Sequence, residues 1–453
     1  MKNTKIYIYI FFLFIIFIGS IYSFSISNNL TIISSFSQIF EKNIETSKIG
    51  FFYGELLINF FETNNFVIYI DNIELYLVRP LFIPYLLVFL HKVTSLEFFI
   101  ILLKNIFLFS IYYYSVVNYF KGEEFNKLKF ILFLIAPYLL PYNAYQALQL
   151  VPEESYLIFI IPAIFLCILS KKNNIFFITL LMSICLFTKS PNIIIVSAIL
   201  ILIFFKNFNI QHKKILILTM LILSMTWCFY AYNKSKVVAL FHKSYTVNSF
   251  TGLQSHNVFF KYLYPKYSVD NILPYFDFFY NKIEVKNEKN FEETLNSEIK
   301  DYIYRDLPGY LKQKLMIIYH TIFNIKRDGQ HFTQNCLISF NKIIKRMNAD
   351  KKYYNLNEDE KLMMTNCKDA KIDNYRFEFI INKVIWLASL VIATLNIIIF
   401  KRNLKCSILL IYFNIFYLLP YIYGHIYTRH QIVLFALSFI FIIINYNLRF
   451  IKK

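Results

Sequence analysis

Residues 151–170 read VPEESYLIFIIPAIFLCILS. A proline and two acids, Glu153 and Glu154, stand at the mouth of an uncharged apolar run. A run of this kind reads as a helix in hydrocarbon. Charge at its edge is expensive unless it faces a cavity or a partner. A second run, 431–448, is opened in the same way by the stretch from His425 to Arg429.

The rest of the chain repeats the pattern. It has 453 residues, 57% hydrophobic and 17% charged, and a soluble chain of that length would form two or three domains. Apolar runs recur instead, among them Ile6–Ile18, Ile193–Phe205 and Ile432–Ile444. With their flanks, several reach the roughly 18–20 residues of a membrane crossing. The fold class expected is an all-α polytopic membrane protein. The first run follows Lys2 and Lys5 but lacks a small-residue cleavage pattern, so it reads as an uncleaved signal anchor.

The formal charge of +19 points to no nucleic-acid partner, because the basic residues are not gathered into a patch. They sit in short loops: Lys171-Lys172, Lys206 with Lys213-Lys214, Lys401-Arg402-Lys405 and Lys452-Lys453. That is the pattern of cytoplasmic loop ends. The heavy Ile, Asn, Lys, Phe and Tyr usage fits an AT-rich bacterial genome, hence a bacterial inner membrane. Cys167, Cys185, Cys228 and Cys406 lie in or beside apolar runs and read as packing residues. Cys336 and Cys367 fall in the long polar segment, where a disulfide is open if that segment is extracytoplasmic.

Holding the basic loops in the cytoplasm orders the chain. Helices run outward at 6–24, 129–145, 175–188, 215–232 and 406–422, and inward at 99–119, 155–170, 191–205, 383–400 and 431–448. Both termini are then cytoplasmic. The organisation expected is an N-terminal membrane module over 1–232 with a first outer loop at 25–79, an extracytoplasmic segment over 233–380, and C-terminal membrane helices over 381–453. Residues 80–90 are too short to cross and read as re-entrant or as a half-helix. The first outer loop, rich in aromatic residues around Phe51–Phe61, reads as helices on the membrane surface. In the outer segment, Leu295, Ile299, Ile303, Leu311 and Leu315 have mostly helical spacing, interrupted at Pro308-Gly309.

This arrangement puts Glu45, Glu55, Asp71, Glu74, Arg79, Glu153, Glu154, Lys189, His425 and Arg429 on one outer face. With Glu153-Glu154 and His425–Arg429 on one face, these two charged spots read as the walls of a site for a charged, lipid-linked substrate. Eight glycines in the whole chain exclude glycine-rich nucleotide loops, and there is no zinc-type cluster or serine elbow. No cofactor is expected; a divalent metal stays open. Internal repeats and paired broken helices are absent from the sequence, which weighs against a secondary transporter.

Several segments resemble the GT-C class of integral-membrane glycosyltransferases, in the branch that uses polyprenyl-phosphate sugars and includes protein mannosyltransferases and aminoarabinose transferases. The first runs from Tyr53-Gly-Glu-Leu-Leu through Phe66 to Arg79-Pro80-Leu-Phe-Ile-Pro84-Tyr85-Leu-Leu. The second is Val151-Pro-Glu153-Glu154-Ser-Tyr, and the third Leu186-Phe-Thr188-Lys189-Ser-Pro191, with Lys where the family has Arg. Tyr427-Thr-Arg429-His430 is similar to the opening of the family's last helix, and the stretch from Glu298 to Lys314 to a family helix broken at a proline. They follow one another in family order. One position departs: Ile49 and Gly50 stand where the family keeps an aspartate.

The resemblance implies inverting transfer of a sugar from a polyprenyl-phosphate donor to a periplasmic glycan, lipid or protein acceptor, with membrane lipid around the bundle. Glu45, Glu55, Glu153 and Glu154 are the candidate catalytic carboxylates. Arg79, Lys189, His425, Arg429 and Asp71 are the candidate substrate-binding residues, the cations holding the phosphate. Two alternatives remain: an O-antigen-type polysaccharide polymerase, whose loss would shorten chains to one repeat, and a non-enzymatic flippase or transporter, which would form no glycosidic bond.

Overall fold

The computed structural model describes residues 2–28, 53–70, 73–76, 80–121, 125–148, 153–170, 174–189, 199, 210–238, 287–305, 307–323, 376–423 and 428–446. The fold is mostly helical. Helix α1 spans Lys2–Asn28 and α2 spans Tyr53–Thr63. Strands β1 (Ile68–Ile70) and β2 (Ile73–Leu75) then pair antiparallel, Ile68 opposite Leu75 and Ile70 opposite Ile73. This hairpin departs from the all-α expectation. Alternation of Ile68, Ile70, Ile73 and Leu75 with Tyr69 and Glu74 gives it a strand period rather than a helical one.

Helix α3 (Phe82–Val93) has 12 residues, about 18 Å, and cannot cross a bilayer core of about 30 Å by itself. That agrees with the half-helix reading of 80–90. Helix α4 (Glu97–Phe120) follows. The single helix expected over 129–145 is instead broken into α5 (Lys127–Ile135), a 3-10 turn (Ala136–Tyr138) and α6 (Pro141–Leu148). Pro137 and Pro141 have no N–H to continue an α-helical ladder, so the run bends there. Helices α7 (Glu154–Leu169), α8 (Ile175–Thr188) and α9 (Ile210–Ser235) complete the first half. Asn126 and Asn174 cap α5 and α8, their side chains accepting from Lys129 N at 3.0 Å and Phe177 N at 3.1 Å. Of the segment expected at 191–205, all but Ile199 lies outside the described residues.

The long segment 233–380 contributes α10 (Glu288–Arg305) and α11 (Leu307–Phe323) among its described residues. They break next to Pro308, which sits in the first turn of α11, where its missing N–H costs nothing. The remaining helices are α12 (Arg376–Leu395, ending in a π-turn over Asn396–Phe400), α13 (Leu404–Tyr423) and α14 (Thr428–Asn445). The hairpin after the π-turn uses left-handed backbone at Lys401 and Asn403.

Contacts fix the relative directions of these helices. Lys104 of α4 lies level with Tyr156 of α7, and Asn118 with Ser170, so α4 and α7 are parallel. Ser20, Tyr9 and Lys5 of α1 meet Asn105, Ser110 and Tyr113 of α4, so α1 is antiparallel to both. Lys189 at the end of α8 meets the start of α7, and Phe187 meets Trp227, so α8 and α9 run together against α7. Trp386 pairs with Phe435, and Asn396 with Asn445, so α12 and α14 are parallel. Helix α13 runs opposite to them, since Trp386 meets Asn414 and Asn396 meets Ser407. It also runs opposite to α7, since Lys405 meets Ile168 and Phe165 meets Phe413.

The bundle therefore has two chemically different ends. Lys5, Lys121, Lys127, Lys129 and Lys405 gather at one. Glu153 and Glu154 mark the other. Helix α7 is the central element, buried along almost its whole length, with α4, α8, α13 and α14 around it. Among the described residues, three helices are long and apolar enough to cross a membrane: Phe98–Phe120, Lys213–Ser235 and Ile380–Phe400. Shorter apolar helices, including Glu154–Leu169 and Gln431–Asn445, pack among them.

Candidate functional site

The candidate site is built where α7 begins. Glu153 precedes the first turn of α7 and Glu154 opens it, and both are buried, Glu153 4% exposed and Glu154 fully enclosed. An acidic first turn is favoured by the positive end of the helix dipole. Helix α8 returns antiparallel and ends in extended backbone at Lys189, which directs its side chain to the same place. The Lys189 ammonium donates to Glu154 Oε1 and stands 3.9 Å from Glu153 Oε2. Adjacent helical residues diverge by about 100°, which suggests that only one glutamate faces the interior. Both in fact serve the same cation, because Glu153 sits at the cap rather than inside the helix.

A second buried basic side chain lies about one turn deeper. Lys104 is fully enclosed in α4; its Nζ donates to Ala147 O at 3.1 Å and stands 4.9 Å above the Tyr156 ring. The neighbouring Asn105 Nδ2 reaches Leu148 O at 3.2 Å and Ser20 Oγ at 3.1 Å. Ala147 and Leu148 are the last residues of α6, whose terminal carbonyls have no partner within the helix. Lys104 and Asn105 therefore cap α6. Asn143 of the same helix exchanges amide contacts with Asn382 of α12 at 3.4 and 3.3 Å. The Glu153–Glu154–Lys189 group and, beyond Tyr156, Lys104 with Asn105 thus form one buried polar region where α4, α6, α7 and α8 meet.

The cluster does not stand alone at this end. Helix α14, parallel to the central helix, begins there, and Arg429 lies in its first turn. Helix α9 ends there, with Lys234 Nζ 2.8 Å from Asn65 Oδ1. The β-hairpin is tied to α10 by the Tyr76 N–H donating to Glu288 Oε2 at 3.0 Å. Glu74 is exposed and accepts from Tyr76 OH at 2.6 Å. Glu55 lies in the first turn of α2. Glu45, Asp71, Arg79 and His425 lie outside the described residues, as do Cys336 and Cys367. In α11, burial pushes the Lys314 ammonium down to about 7, so it is a weak candidate for holding an anion at neutral pH.

Of the expected site residues, the described side chains that come together are Glu153, Glu154 and Lys189. Their meeting gives Lys189 an immediate task different from the expected phosphate contact: it neutralises two carboxylates. Lys104, Asn105 and Tyr156 join the cluster without having been singled out in the sequence. The signal for Lys104 is a lysine inside an otherwise apolar run, a rare and costly placement. Among the described residues no group of three or more His, Cys, Asp and Glu side chains is arranged to hold a metal ion. No family model, curated protein or solved structure matches the chain.

Proposed function

We propose that the chain is a polytopic inner-membrane glycosyltransferase that moves a sugar from a polyprenyl-phosphate donor to a glycan, lipid or protein acceptor outside the cytoplasm. The observation that carries this reading is the buried Glu153–Glu154–Lys189 cluster, at the end of the bundle opposite Lys5, Lys121, Lys127, Lys129 and Lys405. Basic residues mark the cytoplasmic side, which makes the glutamate end the outer one. The order of the motifs that resemble the GT-C class supports the same reading.

Within it, the two glutamates take different roles. Glu154 is held by Lys189 and orients it. Glu153 stands farther from that ammonium and is the better general base for an acceptor hydroxyl. Lys189 is already engaged by carboxylates, so the donor phosphate falls to Arg429 and Arg79. No metal is part of the proposal.

The test is transfer activity with a polyprenyl-phosphate sugar, comparing the wild type with Glu153→Gln and Arg429→Ala in protein shown to be folded. Loss of a general base lowers turnover by about 10²–10⁴-fold. Arg429→Ala is expected to weaken donor binding. Folded variants that both keep full product formation would overturn the proposal.

A further inference from the structure

A groove of about 550 Å³ runs along the flank of the bundle between α1 and α5. Its walls include Tyr7, Phe11 and Ile15 from α1 and Ile131 and Ile135 from α5, with Lys127 also lining it. The volume is in the range of small-ligand sites, roughly 300–1,000 Å³. Phe11 is 59% exposed and Ile15 42%, so the groove opens sideways, toward what would be the bilayer.

Its polarity is graded. Lys127 stands in the first turn of α5, at the lysine end of the bundle. Eleven residues further along, about 16 Å at helical rise, the wall is closed by Tyr138. Lys5 lies beside the same end, its Nζ 4.9 Å from the centre of the Phe125 ring. The sequence stretches 2–5 and 121–129 carry five lysines against two glutamates. Lys127 is exposed. An apolar channel with an available cation at one end matches a molecule with a hydrocarbon chain and an anionic head.

We propose that this groove holds one acyl chain of an anionic phospholipid of the leaflet at the lysine end, with the phosphate against Lys127. The site is distinct from the carboxylate cluster and needs no glycosyl transfer. It requires only that the bundle sits in a bilayer. The lipid seals α1 to α5 where no side chain fills the gap.

The experiment reconstitutes the full chain in bilayers containing phosphatidylglycerol with a photoreactive acyl chain and maps the labelled peptides by mass spectrometry. Labelling is expected to concentrate on residues 7–15 and 131–138. Unlabelled phosphatidylglycerol should compete at least fivefold better than phosphatidylcholine. Ile131→Trp, which fills the groove, and Lys127→Gln, an exposed change that leaves the core intact, should each lower labelling there at least threefold at unchanged thermal stability. Even labelling around the whole belt, equal competition by phosphatidylcholine, or preferential competition by a polyprenyl phosphate would overturn the proposal. So would labelling unchanged in Lys127→Gln. Crosslinking of these peptides to a second copy in place of lipid would overturn it as well. Transfer activity is not part of the readout, so failure here is separable from failure of the proposed reaction.

Discussion

Lys189 is the residue on which the candidate site depends. It is 7% exposed and neutralises two buried carboxylates, one on each side of the residue boundary where α7 starts. Burying these charges is tolerable only while they are paired. Lys189→Met leaves Glu153 and Glu154 side by side without their ammonium, and this should cost about 3–5 kcal/mol of stability. Adding Glu153→Gln and Glu154→Gln removes the stranded charges and should recover most of that loss. Thermal unfolding in detergent measures both. A single Lys189→Met as stable as the wild type would show that the ion pair contributes nothing. The presence of Glu153, Glu154 and Lys189 was legible in the sequence as charge at the mouths of apolar runs. Their convergence was not, because it depends on how α8 packs against α7 across a separation of 35 residues.

Among the elements, α12, α13 and α14 show how a bundle with few charges keeps its register. Asn396 Nδ2 reaches Ser407 Oγ at 3.3 Å and Asn445 Oδ1 at 3.1 Å, and Asn403 Nδ2 reaches the same Asn445 oxygen at 2.9 Å. The Trp386 indole N–H donates to Asn414 Oδ1 across α12 and α13. Apolar packing alone has no preferred register when the surroundings are equally apolar, so such hydrogen bonds carry part of the specificity. Asn396→Leu should lower stability by about 1–2 kcal/mol and loosen the end of α12 at its π-turn. Hydrogen exchange of residues 396–404, compared with the wild type, measures this, and unchanged protection there would refute it. The break between α10 and α11 was readable at Pro308, whereas the caps at Asn126 and Asn174 came from the structure. The split of α5 from α6 was not, because Pro137 and Pro141 act within a run whose hydropathy continues across them.

For the molecule as a whole, the distribution of charge between the two ends of the bundle has a direct consequence. If lysines mark the cytoplasmic side, Thr63 beside the hairpin and Arg402 after the π-turn lie on opposite faces. On a background with the native cysteines replaced, Thr63→Cys should react with an impermeant maleimide in intact spheroplasts, and Arg402→Cys only after lysis. The reverse pattern would invert the orientation, and equal reactivity in intact spheroplasts would show that the two ends are not separated by a membrane.

Taken by itself, the sequence determined most of the described helical runs and the concentration of basic residues in short loops. These are local properties: hydropathy and proline act over a few residues, and no distant contact is needed to read them. Only the tertiary structure decided that Glu153 and Glu154 share one lysine, that Lys104 and Asn105 cap α6, and that a side groove opens between α1 and α5. The β-hairpin at 68–75 also belongs to the structure, since three-residue strands give too short a period to read in isolation. Each of these depends on which helix faces are brought together, and a buried charge finds its partner only when packing supplies one.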